Sequence, residues 1–121
     1  MQSAFSDSIS APKTLRQKWE AMHETAQLIG TMAHLAREGY TGQIAAFPNA
    51  IVMAGTSKQE LAEQCLEDLD AILQPGLTAL LAIEARGQDT TSPALALWRE
   101  YHAVRQSLLA LCPPKDLCTS A

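Results

Sequence analysis

Residues 15–38, LRQKWEAMHETAQLIGTMAHLARE, decide the fold. Within them Leu15, Trp19, Met22, Ala26, Ile29, Ala33 and Ala36 recur at alternating spacings of four and three. A side chain returns to the same face of an α-helix about every 3.5 to 3.6 residues, so this run is the seam of a helix packed against other helices. The same spacing returns at Leu97, Tyr101, Val104, Leu108 and Leu111. The two runs bracket the chain and predict an all-α protein.

Working outward, the first helix is expected over Pro12–Glu38, with proline tolerated in its opening turn and Gly39 as its left-handed stop. Ile44, Phe47 and Ile51 keep helical spacing, but Pro48 lacks the amide proton a regular helix needs there, so 41–54 reads as a short or kinked helix. Ser57-Lys58-Gln59-Glu60 has the form of a capping box, in which serine and glutamate satisfy each other's free backbone amides. It opens a helix to about Leu73, with Leu61, Ala62, Cys65, Leu66, Leu69, Ile72 and Leu73 on one arc and Glu60, Glu63, Glu67 and Asp70 opposite. Gln74-Pro75-Gly76 reads as a break, followed by a short helix Leu77–Arg86. Ser92-Pro93 then marks the start of the last helix, which runs to about Cys112. The chain reads as one domain. It is an antiparallel four-helix-type bundle over 12–112 with the additional short or kinked helix around 41–54, a flexible N-terminal segment 1–11 and a C-terminal tail 113–121.

Composition narrows the function classes. The chain has 121 residues, 47% of them hydrophobic and 18% charged, which is globular rather than disordered. Its net charge is −4, so it has no basic excess to neutralise phosphates, and no nucleic-acid partner is expected. Met1–Ala11 carries no positive residue and no apolar block, so neither a signal nor a transit peptide is expected. No apolar run approaches the ~18 residues of a membrane span. Three cysteines, Cys65, Cys112 and Cys118, have no framework spacing and suit a reducing, cytoplasmic setting.

No constellation of residue types demands catalysis. His23 and His34 share a helix face but stand about 16 Å apart along it, too far for one metal ion. Glu20-x-x-His23 is half of the carboxylate–histidine pattern of di-iron bundles, and no second copy completes it. Cys112 and Cys118 lack the further ligands of a zinc set. Gly39-Tyr40-Thr41-Gly42 follows a helix rather than a strand, which is the wrong context for a phosphate loop. No metal or cofactor is expected. Trp19, Trp98 and Tyr101 sit at core spacing, where aromatics pack or line a small apolar pocket.

Ala33-His34-Leu35-Ala36-Arg37-Glu38-Gly39 resembles the His-x-x-Lys-Gly pattern of histidine phosphotransfer domains, with Arg37 in the lysine's place and Glu38 where the glycine belongs. The resemblance implies His34 as phosphoacceptor and Arg37 as its charge stabiliser. Read from the residues alone, the protein is a non-catalytic interaction or regulatory module. Leu28, Met32 and Leu35 form a second apolar stripe on the first helix, and Leu95, Trp98 and Leu109 widen the apolar face of the last. Two wide faces in so short a chain predict a homodimer formed through those six residues, with a protein partner or a small apolar ligand as the alternatives.

Overall fold

The computed structural model describes residues 11–112. The expectations for 1–10 and 113–121, Cys118 among them, lie outside the described residues. Four helices follow one another: α1 (Ala11–Met32), α2 (Gly42–Ala54), α3 (Thr56–Ala85) and α4 (Thr91–Ala110). There is no strand among the described residues. Each helix touches the other three.

The seam of α1 is the centre of the core. Leu15, Trp19, Met22, Ala26, Ile29 and Ala33 are all buried, whereas Ala36 lies beyond the helix and is exposed. They pack with Phe47 and Ile51 of α2, with Ala62, Leu66, Leu69, Leu73 and Leu80 of α3, and with Ala94, Tyr101 and Leu108 of α4.

α1 stops six residues before the expected Glu38. Its end is a Schellman turn: the Leu35 amide donates to the Gly30 carbonyl at 2.9 Å and the His34 amide to that of Thr31 at 3.0 Å. His34, not Gly39, holds the left-handed position, at φ 64°. The reversal has a physical reason. In a straight helix Gln27 and Glu38 would lie about 16 Å apart, whereas here the Glu38 amide donates to Gln27 Oε1.

α2 is one continuous helix with Pro48 inside it. Proline removes the bond that its position would give the carbonyl four residues back, which here is Ile44. That carbonyl instead accepts from the Trp19 indole Nε1 at 2.6 Å. Trp19 also stacks on Phe47, with centroids 4.1 Å apart. A donor from α1 thus replaces the missing backbone bond.

α3 corrects two further expectations. It begins at Thr56 after Gly55 with no side-chain capping bond, so the capping box at Ser57 is not formed. It also runs through Gln74-Pro75-Gly76 without a break, which merges two expected helices and brings the total to four. Pro75 and Ala71, whose carbonyl it leaves free, are both exposed, so water can satisfy that carbonyl. Gly76 serves the packing: a Cβ there would lie 2.6 Å from Leu97 Cδ2. The helix ends in a second Schellman turn, with Gly87 at φ 76°. α4 starts at Thr91, one residue before the expected Ser92. Asp89 secures that start by accepting from the Thr91 amide at 3.1 Å and its hydroxyl at 2.7 Å. No helix among the described residues is long and apolar enough to cross a membrane.

Candidate functional site

A polar cluster lies where the 33–41 connection meets α1 and α4. Arg105 occupies a core position of α4 and is only 5% exposed. Its guanidinium grips Glu38 end-on, with Nη1 donating to Oε1 at 2.7 Å and Nη2 to Oε2 at 3.1 Å. Two parallel charge-assisted bonds of this kind fix orientation as well as distance. Nη1 also donates to the Tyr101 hydroxyl at 3.1 Å, and the guanidinium carbon stands 5.1 Å from the Tyr101 ring centroid.

α1 contributes the other half. Gln27 Nε2 donates to Glu38 Oε1 at 3.4 Å, while its Oε1 takes the Glu38 amide. The Glu38 carbonyl can only accept, so His23 Nε2 carries the proton of the contact at 3.2 Å. His23 and Gln27 are both buried. The His23 ring meets that of Tyr40 edge-on, with centroids 5.3 Å apart. Three buried polar atoms in this cluster have no hydrogen-bond partner: His23 Nδ1, the Tyr40 hydroxyl and Arg105 Nε.

The electrostatics follow the geometry. The hydrogen bond from Arg105 holds the Glu38 carboxyl below its ordinary value, against partial burial, which acts the other way. Burial pulls Arg105 down, but its bonds to Glu38 and Tyr101 outweigh that and the net shift is upward. Burial pushes the Tyr101 and Tyr40 phenols up. At neutral pH the pair is therefore ionised and both phenols are neutral.

Sequence reading missed this cluster. His23 and Gln27 fall in a polar row on the first helix with Arg16, Glu20 and His34, and Glu38 is read only beside His34, while Arg105 is not singled out. Its signal is there: it stands four residues after Tyr101 and three before Leu108, a cation at core spacing.

The residues that the sequence did single out are scattered. His34 is exposed and one residue past the end of α1's capping residue, so the His-x-x-Arg row does not lie on a helix face. Arg37 is exposed and pairs with Glu24 at 3.8 Å, a contact worth little in solvent. Of the six expected interface residues, Met32 is buried in the core. Leu35, Leu95, Trp98 and Leu109 pack partly against it, and Leu28 is exposed. Trp98 closes over Gly30, where a Cβ would meet its ring at 3.2 Å. Leu28 and Met32 therefore do not share an exposed stripe.

A shallow groove of about 310 Å³ runs between α1 and α3, with Met22 and Leu66 as its floor and Lys18, Glu67 and Asp70 at its rim. Lys18 and Glu67 close to 2.8 Å across it. No group of three or more His, Cys, Asp and Glu among the described residues is placed to hold a metal ion. No protein-family model, curated protein or solved structure matches this chain.

Proposed function

We propose that the protein is a non-catalytic interaction module of the cytoplasm, an antiparallel four-helix bundle that self-associates through apolar side chains its own fold leaves uncovered. The supporting observation is a set of large hydrophobic residues in solvent. Leu28 is 43% exposed, Leu61 50%, Ile72 48%, Leu81 45% and Met53 87%. Leu61 and Ile72 stand three helical turns apart on one side of α3, with half-buried Cys65 between them. Apolar area of this kind is removed from water when a second copy covers it. With Met32 buried, the reading is supported by exposed Leu28 and by Leu61 and Ile72 of α3 instead. The ligand-binding alternative is less well supported, because the α1–α3 groove is open and ringed by charge.

Light scattering on the purified chain tests this reading. The wild type should run as a dimer. Leu61→Glu/Ile72→Glu or Leu28→Glu should run as a monomer with unchanged helical circular dichroism. A wild type that is monomeric across the concentration range refutes it.

A further inference from the structure

The polar cluster has two parts of different character. Arg105 and Tyr101 of α4, and His23 and Gln27 of α1, belong to the helical frame, and none is more than 5% exposed. The carboxylate they converge on belongs to the 33–41 connection, and its side chain is 35% exposed. The receiving half is sealed, while the occupant reaches in from solvent. We propose that Arg105, Tyr101 and Gln27 form a binding site for a small carboxylate, closed in this structure by the chain's own Glu38.

Three observations carry this assignment. The two N–H groups of Arg105 meet the carboxylate in the parallel geometry used to recognise free carboxylates, at 2.7 and 3.1 Å. The frame holds one more donor than Glu38 uses, since the buried Arg105 Nε stays unpartnered. Past the Schellman turn at His34 and Leu35, the strap's hydrogen bonds to the frame come from Glu38, whose side chain, amide and carbonyl all bind it. The neighbouring Ala36, Arg37 and Gly39 are exposed, and His34 pivots the strap from a left-handed conformation. Withdrawal of the Glu38 side chain uncovers the guanidinium, while Leu35 and Tyr40 keep the strap on the core and the helical frame keeps its shape.

A tethered carboxylate competes at an effective concentration of order millimolar. An outside carboxylate whose own Kd is about 0.1 mM should consequently bind the wild type about tenfold more weakly than a chain lacking Glu38, and a weaker ligand by less. The experiment uses sodium acetate as probe against sodium chloride at equal ionic strength, with calorimetric titration and thermal unfolding as readouts. Glu38→Ala should bind one acetate, and its unfolding midpoint should rise with acetate but not with chloride. The wild type should bind acetate saturably and more weakly, and Glu38→Ala/Arg105→Met should lose the response. If Glu38→Ala is unfolded without ligand, acetate should restore its helical circular dichroism. The proposal is overturned by Glu38→Ala that is indifferent to acetate, by a response that survives Arg105→Met, or by a wild type with no saturable binding.

Discussion

Cutting the Glu38–Arg105 pair from its two ends should give unequal losses, with the larger one at Glu38. Glu38→Ala strands a guanidinium that is 5% exposed. An uncompensated buried charge costs ~3–5 kcal/mol. Arg105 keeps the Tyr101 hydroxyl and ring, so the lower end, ~3 kcal/mol, is the expectation. Arg105→Met instead strands a carboxylate whose side chain is 35% exposed and can take water. What is lost there is a pair of bonds to charged groups, each ~1.5–3 kcal/mol when shielded. Discounted for solvent screening, that becomes ~1–2 kcal/mol. The double variant removes both charges, so its loss should fall short of the sum by at least ~1 kcal/mol. A domain of this size has about 6–18 kcal/mol to lose, so every variant stays folded.

Urea unfolding followed by circular dichroism at neutral pH measures all three losses, and acid adds an independent check. The folded Glu38 carboxyl lies below its ordinary value of 4.5. Its contribution is therefore complete above that value and fades as pH falls through the lowered one. The gap between wild type and Glu38→Ala should be flat from neutral pH down to about 5 and narrow below about 4. Equal losses at the two ends, or a larger loss at Arg105, would refute the argument that the guanidinium is the sealed partner.

Two further outcomes test the helix ends and the proline in α3. Pro75 is exposed inside a continuous helix, and an interior proline is worse than alanine by ~3 kcal/mol. Pro75→Ala should raise the unfolding free energy read from urea titration, by up to that amount, whereas a helix that ended at Gln74 would gain nothing. His34 sits at φ 64°, where an L-residue is penalised by ~1–2 kcal/mol and glycine is not. His34→Gly should stabilise by ~1 kcal/mol after glycine's own entropy is counted, and a net loss would show that the imidazole makes contacts which outweigh the strain.

The all-α class and the α1 core face were legible because both follow from periodicity, which is a local property. Leu15 to Ala33 could be assigned inward from spacing alone, and each is buried. What escaped depends on partners far along the chain. Pro48 reads as a breaker because the rule counts only backbone donors, yet Trp19, 29 residues earlier, supplies the donor Ile44 needs. Pro75 reads as a breaker by the same rule, and there solvent access at Ala71 lowers the cost of the free carbonyl enough for the helix to continue. Glu38 looks like one more surface charge at the end of a long helix until His34 turns the chain back and brings it to Arg105, 67 residues away. The helix length and the site were thus a single error. Reading the helix on to Gly39 placed Glu38 about 16 Å from Gln27, and no charge cluster could be assembled from that geometry. The corrective was a cation among core positions of α4. A buried arginine requires an anion, and once Arg105 is taken as interior, one of the acidic residues outside α4 has to be brought to it by a bend.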